Sequence, residues 1–156
     1  MLTRPSALNQ YHAHHIGCLS DSLYRWTGKG LIDKGETAVD AAKRLYYAPF
    51  ALLSHGIEAD PVLNYGNQTG QSLFAIAWES LIQMPSRLTA EAVRQVERDA
   101  LMARVTQKGC ITDYSGIRIA ANGRRFRIEQ AVVWNVLDGA GRYLGQAAMF
   151  AQWHDL

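Results

Sequence analysis

Residues 111–153 read ITDYSGIRIAANGRRFRIEQAVVWNVLDGAGRYLGQAAMFAQW, and this stretch decides the fold. Asn122-Gly123 sits between two strand-like runs, Ile111 to Ala120 and Arg125 to Leu137. An Asn-Gly pair in that position is the strongest short hairpin signal, because both residues accept the positive φ of a two-residue turn. Asp138-Gly139-Ala140-Gly141 is a second turn, leading into a third strand from about Tyr143 to Trp153. Three adjacent antiparallel strands form a meander. Alternation in the central strand puts Phe126, Ile128, Gln130, Val132, Trp134 and Val136 on one face, and Arg127, Glu129, Ala131, Val133 and Asn135 on the other.

Upstream of the meander lies a helix capped by Thr89, with Glu91 in its first turn and Lys108-Gly109 as its stop. Val93, Val96, Ala100, Leu101 and Val105 are its expected apolar side. Asn67 caps a short helix through Thr69 to Ala75, and Trp78 to Ile82 is another helical turn, broken at Met84-Pro85. Before these, Phe50 to Gly56 and Pro61 to Tyr65 read as a strand pair joined by Glu58-Ala59-Asp60-Pro61. The first 48 residues are helical: Leu8 to Trp26, stopped at Thr27-Gly28, then Glu36 to Tyr47 capped by Thr37 and ended by Pro49. The predicted architecture is therefore α+β. A five-stranded antiparallel sheet over residues 49–156 carries helices on one face, and residues 1–48 form an N-terminal helical arm.

Bulk properties bound the function. A chain of 156 residues with net charge +2 is long enough for one packed core and lacks the basic excess of a nucleic-acid binder. No apolar run approaches the roughly 18 residues of a membrane span. The opening Met1-Leu2-Thr3-Arg4-Pro5 lacks a signal-peptide core, and Cys18 and Cys110 are two isolated thiols. These features predict a cytoplasmic protein.

Several blocks resemble the MEKHLA domain family: Phe50 to Asn67, Met84-Pro-Ser-Arg-Leu88, Asp113 to Ile119, Gly123 to Ala131, Val133-Trp-Asn135 and Gly145-Gln-Ala-Ala148. The resemblance covers most of residues 50–153, although the six-letter string that names the family is absent. It implies a PAS-like fold and a broad sensory role. It is closest in style to the short stand-alone bacterial members, whereas plant members resemble the C-terminal regulatory domain of homeodomain–leucine-zipper factors. No family catalytic residues are implied, and no homeodomain or zipper is present in this sequence.

The chemical candidates are few. His12, His14 and His15 cluster on the first helix, where His12 and His15 have ligand spacing but no carboxylate lies nearby, so no metal site is expected. PAS-like pockets can hold haem or flavin. Residues 67–108 contain no histidine for a haem, and no Asn-Cys-Arg-Phe segment for a flavin photoadduct occurs. No phosphate loop or nucleophile elbow is found. The cofactor is left unassigned. A ligand pocket is expected on the apolar sheet face, lined by Phe74, Trp78, Met84, Tyr114, Phe126, Ile128, Gln130 and Trp134. Gln130 there either makes a structural hydrogen bond or orients a ligand. Arg127 and Glu129 share the other face within ion-pair reach, with Arg118 as a possible third member. Tyr11, Leu19, Leu23 and Trp26 of the arm, or a second subunit, should cover that face.

The leading expectation is a sensory or ligand-binding module acting through a small molecule or a protein partner, and dimerising through the arm. A pure interaction module with a self-filled core is the alternative. A small cone-shaped α+β enzyme is the third, disfavoured because helices interrupt the strands.

Overall fold

The computed structural model describes residues 2–156, apart from the side chain of Val93. Val93, expected on the apolar side of the long helix, thus lies outside the described side chains.

The arm is helix α1 (Ala13–Thr27) followed by α2 (Ala38–Tyr46). Helix α1 presents Ile16, Leu19 and Leu23 at helical spacing, all buried, and ends at Gly28 with φ 79°. Thr37 caps α2 by accepting a hydrogen bond from the Asp40 amide at 3.1 Å. The expected start of the first helix at Leu8 is corrected. Residues Ala7–His12 form an irregular 3₁₀ segment in which Gln10, Tyr11 and His12 all have φ near +57° (57°, 55° and 59°). The side chain of Asn9 anchors this segment. Its oxygen accepts from the Ser6 amide at 2.9 Å and its nitrogen donates to the Arg4 carbonyl at 2.8 Å, tying the segment to the chain before it.

Strands β1 (Ala51–His55) and β2 (Leu63–Gly66) pair antiparallel, as the sequence predicts. Helices α3 (Gln68–Leu73) and α4 (Trp78–Leu81), a 3₁₀ turn Ser86–Thr89, and α5 (Ala92–Lys108) follow. The N-cap of α5 is Glu91, not Thr89, which closes the 3₁₀ turn. The buried side of α5 is Arg98, Leu101 and Val105; Val96 is 80% exposed and Ala100 is also exposed. The apolar stripe is therefore rotated from the expected one.

The last third is β3 (Cys110–Ile119), β4 (Arg125–Leu137), β5 (Tyr143–Phe150) and β6 (Gln152–Asp155). The antiparallel sheet runs β2-β1-β5-β4-β3, and β6 continues β5 along β4 after a break at Ala151. The α+β class, the sheet and the arm are as expected, with the fifth strand divided in two. Gly145 lets β5 pass beside β1, since a Cβ there would collide with the His55 carbonyl.

The strict alternation expected along β4 fails at one place. Gln130 has φ 51°, and Asp113 on the neighbouring β3 has φ 64°. The pairing of β3 with β4 slips on both sides of Tyr114↔Ala131 and returns to its original register. These are two compensating bulges, each of which re-aims the residues that follow. Phe126 and Ile128 face the helices α3 and α5. After the bulge, Ala131 and Val133 face that way, while Trp134 and Val136 turn to the arm.

Two packed layers result, one on each side of the sheet. Leu53, Phe74, Leu101, Val105, Tyr114, Ile128 and Val133 belong to the first. Ile16, Leu19, Leu23, Trp78, Trp134 and Val136 belong to the second. The arm thus covers the second face as expected, but over Trp134 and Val136 in place of Ala131 and Val133.

Candidate functional site

A cavity of about 70 Å³ lies between the sheet and α5. Its apolar wall comes from Leu53, Phe74, Leu101, Met102, Ile128 and Phe150. Polar groups enter from different elements: His55 at the end of β1, Arg98 on α5, Arg118 and Tyr114 on β3, and Gln146 on β5.

Three of the expected lining residues meet there: Phe74, Tyr114 and Ile128. Five do not. Phe126 is fully buried in the same layer but stands behind Phe74, ring centroids 5.2 Å apart at 67°. Met84 packs at the periphery of that layer, and its carbonyl accepts from the Leu63 amide. Trp78 is on the arm side, 5.3 Å from the His12 ring, with its indole N–H donating to the Leu2 carbonyl. Trp134 is on the arm side too, donating from Nε1 to the Leu19 carbonyl at 3.1 Å. Gln130 is exposed, with Gln152 as its side-chain partner at 3.4 Å. The bulge at Gln130 accounts for the last two, because a period of two cannot be carried across an inserted residue.

The hairpin register relocates Arg118: the loop spans residues 121–123, and Arg118 stands opposite Phe126, on the face of the cavity. Arg127 and Glu129 do pair, at 3.0 Å, on the outer face. Arg118 does not join them; it points into the cavity and is 7% exposed. Gly116 makes this possible. A Cβ at 116 would collide with the Tyr114 hydroxyl, so the bare backbone lets the Tyr114 ring lie along the strand toward Arg118. Arg118 donates to the Tyr114 hydroxyl at 3.3 Å and to the Ile117 carbonyl at 2.8 Å, and its guanidinium stands 5.6 Å from the Tyr114 ring centre.

Arg98 is the second buried cation, also 7% exposed. Its Nη2 donates to Ser86 Oγ at 2.7 Å. Its nearest carboxylate is Asp99 at 3.9 Å, an exposed side chain beyond hydrogen-bonding distance. Burial, and next the charge of Arg118, lower the pKa of Arg98 to about 10. It remains a cation at neutral pH.

His55 is held in place by a hydrogen bond from Nδ1 to the Gly56 carbonyl at 2.9 Å, and burial pushes its pKa below the ordinary value. Gln146 Nε2 shares its two N–H donors among the Met102 carbonyl, Thr106 Oγ1 and Asn135 Oδ1, all at 3.1–3.2 Å. Its own oxygen is buried without a partner.

A second hollow of about 210 Å³ lies under α1, bounded by His15, Ser54, His55, Asn64, Val136 and Leu144. His15 Nε2 is 2.8 Å from Ser54 Oγ, a spacing that invites a nucleophile reading. The proton count opposes it. Ser54 donates its one hydroxyl proton to Asn64 Oδ1 at 2.6 Å, so His15 is the donor to Ser54 and not its base. Around the other histidines of the expected helix-face cluster, as elsewhere among the described residues, no group of three ligating side chains comes together.

Sequence reading missed Arg98, Arg118, His55 and Gln146. Arg98 was legible, since Arg98, Leu101, Met102 and Val105 stand at i, i+3, i+4 and i+7 on one helix face. A cation on that stripe is the signal. Arg118 was not legible, because Ile117 and Ile119 flank it and alternation alone places those inward.

The MEKHLA domain family matches residues 13–155 of this chain. The homeobox-leucine zipper protein HOX29 of Oryza sativa subsp. japonica is 23% identical over 139 residues, 89% of this chain and 15% of that protein. The chain thus spans about a seventh of the length of this curated relative. Among solved structures, the PAS domain of a Colwellia psychrerythraea protein superposes with TM-score 0.61 at 15% identity, covering 74% of this chain and 92% of that one. An RNA-binding light-oxygen-voltage receptor gives TM-score 0.59 at 22% identity, covering 73% and 32%. These likenesses show that the fold is PAS-like.

Proposed function

We propose that this chain, which belongs to the MEKHLA domain family, is a PAS-like sensory module whose input is a small molecule in the cavity between the sheet and α5. One observation carries the reading: Gln146 lines that cavity with its side-chain oxygen buried and unpaired. A buried acceptor without a donor is costly, and a bound molecule or water relieves it. Phe74, Tyr114 and Ile128 are the retained lining residues of the proposal, joined by His55, Arg98, Arg118 and Gln146.

The size of the cavity limits the occupant. Drug-sized ligands need pockets of about 300 Å³ or more. The 70 Å³ found here supports a molecule of a few heavy atoms and gives no room for haem or flavin. Neither Cys18 nor Cys110 borders the cavity.

Smallness also supports the second reading, an interaction module with a self-filled core. A titration of small organic compounds against the amide spectrum separates the two. Shifts clustered on Phe74, Leu101 and Tyr114, abolished by Ala148→Leu, are expected for a sensory pocket. Their absence, with Ala148→Leu raising the unfolding midpoint, would sink it in favour of the filled core.

Dimerisation through the arm is part of the proposal only in reduced form. Ile16, Leu19 and Leu23 are taken up by the protein's own sheet, which leaves Leu8, Tyr24 and Tyr47 exposed for a partner. Sedimentation of the wild type against Tyr24→Ser tests this; equal monomer mass for both would remove the dimer. No helix among the described residues is long and apolar enough to cross a membrane. A cytoplasmic setting remains part of the proposed reading.

A further inference from the structure

We infer that the cavity takes a short-chain monocarboxylate, its carboxylate held between Arg98 and Arg118 and its tail against the apolar wall. The inference rests on the reading of the cavity as a ligand pocket and names the class of ligand.

Two observations carry it. Arg98 and Arg118 reach the same cavity from opposite walls, one from α5 and one from β3, and each is 7% exposed. Among the described residues no carboxylate lies within 4.0 Å of Arg118, and Arg98 has only the exposed Asp99 at 3.9 Å. Arg98 has one hydrogen-bond acceptor, Ser86, and Arg118 has two, Ile117 and Tyr114. A guanidinium has five N–H donors, so most of this donor capacity is unused at two buried positions. Two buried like charges with no counterion are unfavourable, and an anion between them reverses the sign of that interaction.

The rest of the wall selects among anions. Leu53, Phe74, Leu101, Ile128 and Phe150 form an apolar wall that suits a hydrocarbon tail and offers no partner to oxygens pointing that way, whereas the hydroxyls of Ser86 and Tyr114 stand at the arginine end. His55 also borders the cavity, and burial lowers its pKa, which disfavours a third positive charge there. A carboxylate matches the planar fork of arginine and carries an apolar tail. An apolar cavity of about 150 Å³ accommodates benzene. At about 70 Å³, roughly two to four carbons fit.

The test is a titration of the full chain with propionate, with neutral propionamide and propan-1-ol, and with chloride and inorganic phosphate at matched ionic strength. Amide shifts and calorimetry are the readouts. Propionate is expected to bind at least tenfold more tightly than propionamide. Arg98→Gln and Arg118→Gln should each weaken propionate at least tenfold. Arg98→Met should raise the unfolding midpoint in ligand-free buffer while losing the rise that propionate gives the wild type. Should Arg98→Gln fail to fold, Ser86→Ala, which frees Arg98 from its anchor, carries the same expectation in milder form. Equal binding of propionate and propionamide, or arginine variants that bind as well as the wild type, would overturn the anion and leave the pocket standing. Phosphate or chloride binding as tightly as propionate would overturn the carboxylate. Silence from all three organic compounds would overturn the pocket reading itself.

Discussion

Asn67 shows how much one side chain can hold together. It is fully buried, and its amide makes four hydrogen bonds to backbone groups of three segments. Oδ1 accepts from the Leu52 amide at 3.1 Å and the Gly70 amide at 2.9 Å. Nδ2 donates to the Leu45 carbonyl at 2.9 Å and the Phe50 carbonyl at 2.8 Å. The end of α2, the first strand and α3 are thereby fixed to one another. Asn67→Ala leaves these groups buried and unpaired, and we expect a loss of about 3 kcal/mol in urea unfolding. Asn67→Asp should be no better, since a carboxylate would face two carbonyls. His15 is the residue for pH. Burial, then the charges of His12 and His14, lower its pKa to about 4 from 6.5. The unfolded chain therefore takes up the proton first as pH falls. Stability is full above pH 6.5 and is lost between 6.5 and 4, by up to about 3 kcal/mol from this group. Buried His55 is lowered as well and acts in the same direction. Urea midpoints from pH 7.5 to 4.5 should slope less steeply for His15→Gln than for the wild type.

Among the elements, β4 determines which residues meet in the cavity. Its bulge at Gln130 has positive φ, a conformation that a β-branched side chain resists and glycine accepts. Gln130 is exposed, so a substitution there reports on backbone and little else. Gln130→Gly should be neutral or stabilising by up to about 1 kcal/mol, and Gln130→Val destabilising by about 1–2 kcal/mol. Thermal unfolding measures both, and a Val variant as stable as the Gly variant would argue against the bulge. Most element boundaries were legible in the sequence: the Asn122-Gly123 turn, the Thr37 and Asn67 caps, and the Gly28 and Gly109 stops act through local backbone chemistry. The faces were not. Side-chain direction along β3 and β4 depends on two bulges that stabilise one another across the ladder, and neither Asp113 nor Gln130 advertises a bulge by its own identity. Trp134 and Gln130 were misplaced for that reason; Arg118 was missed because the hairpin loop spans residues 121–123, which sets it opposite Phe126 and not Arg127.

At the scale of the molecule, the arm and the sheet share a core. Leu19 has no exposed surface, and Trp134 beneath it donates to its carbonyl. Leu19→Ala should cost about 3 kcal/mol. A fragment of residues 49–156 would expose Trp134, Val136 and Ala147. We expect it to self-associate and to bind an apolar dye; a monomeric, cooperatively folding fragment would show that the division at residue 48 is one between independent domains. By itself the sequence determined the class, the order of elements and the family, because turn residues, caps and blocks of matching residues act over a few positions. It also supplied the two arginines, without saying that they meet. Only the tertiary structure brings Arg98 and Arg118 to one cavity, 20 positions apart on a helix and a strand, since that meeting depends on the rotation of the helix and on the hairpin register that sets Arg118 opposite Phe126, both settled by packing across the sheet.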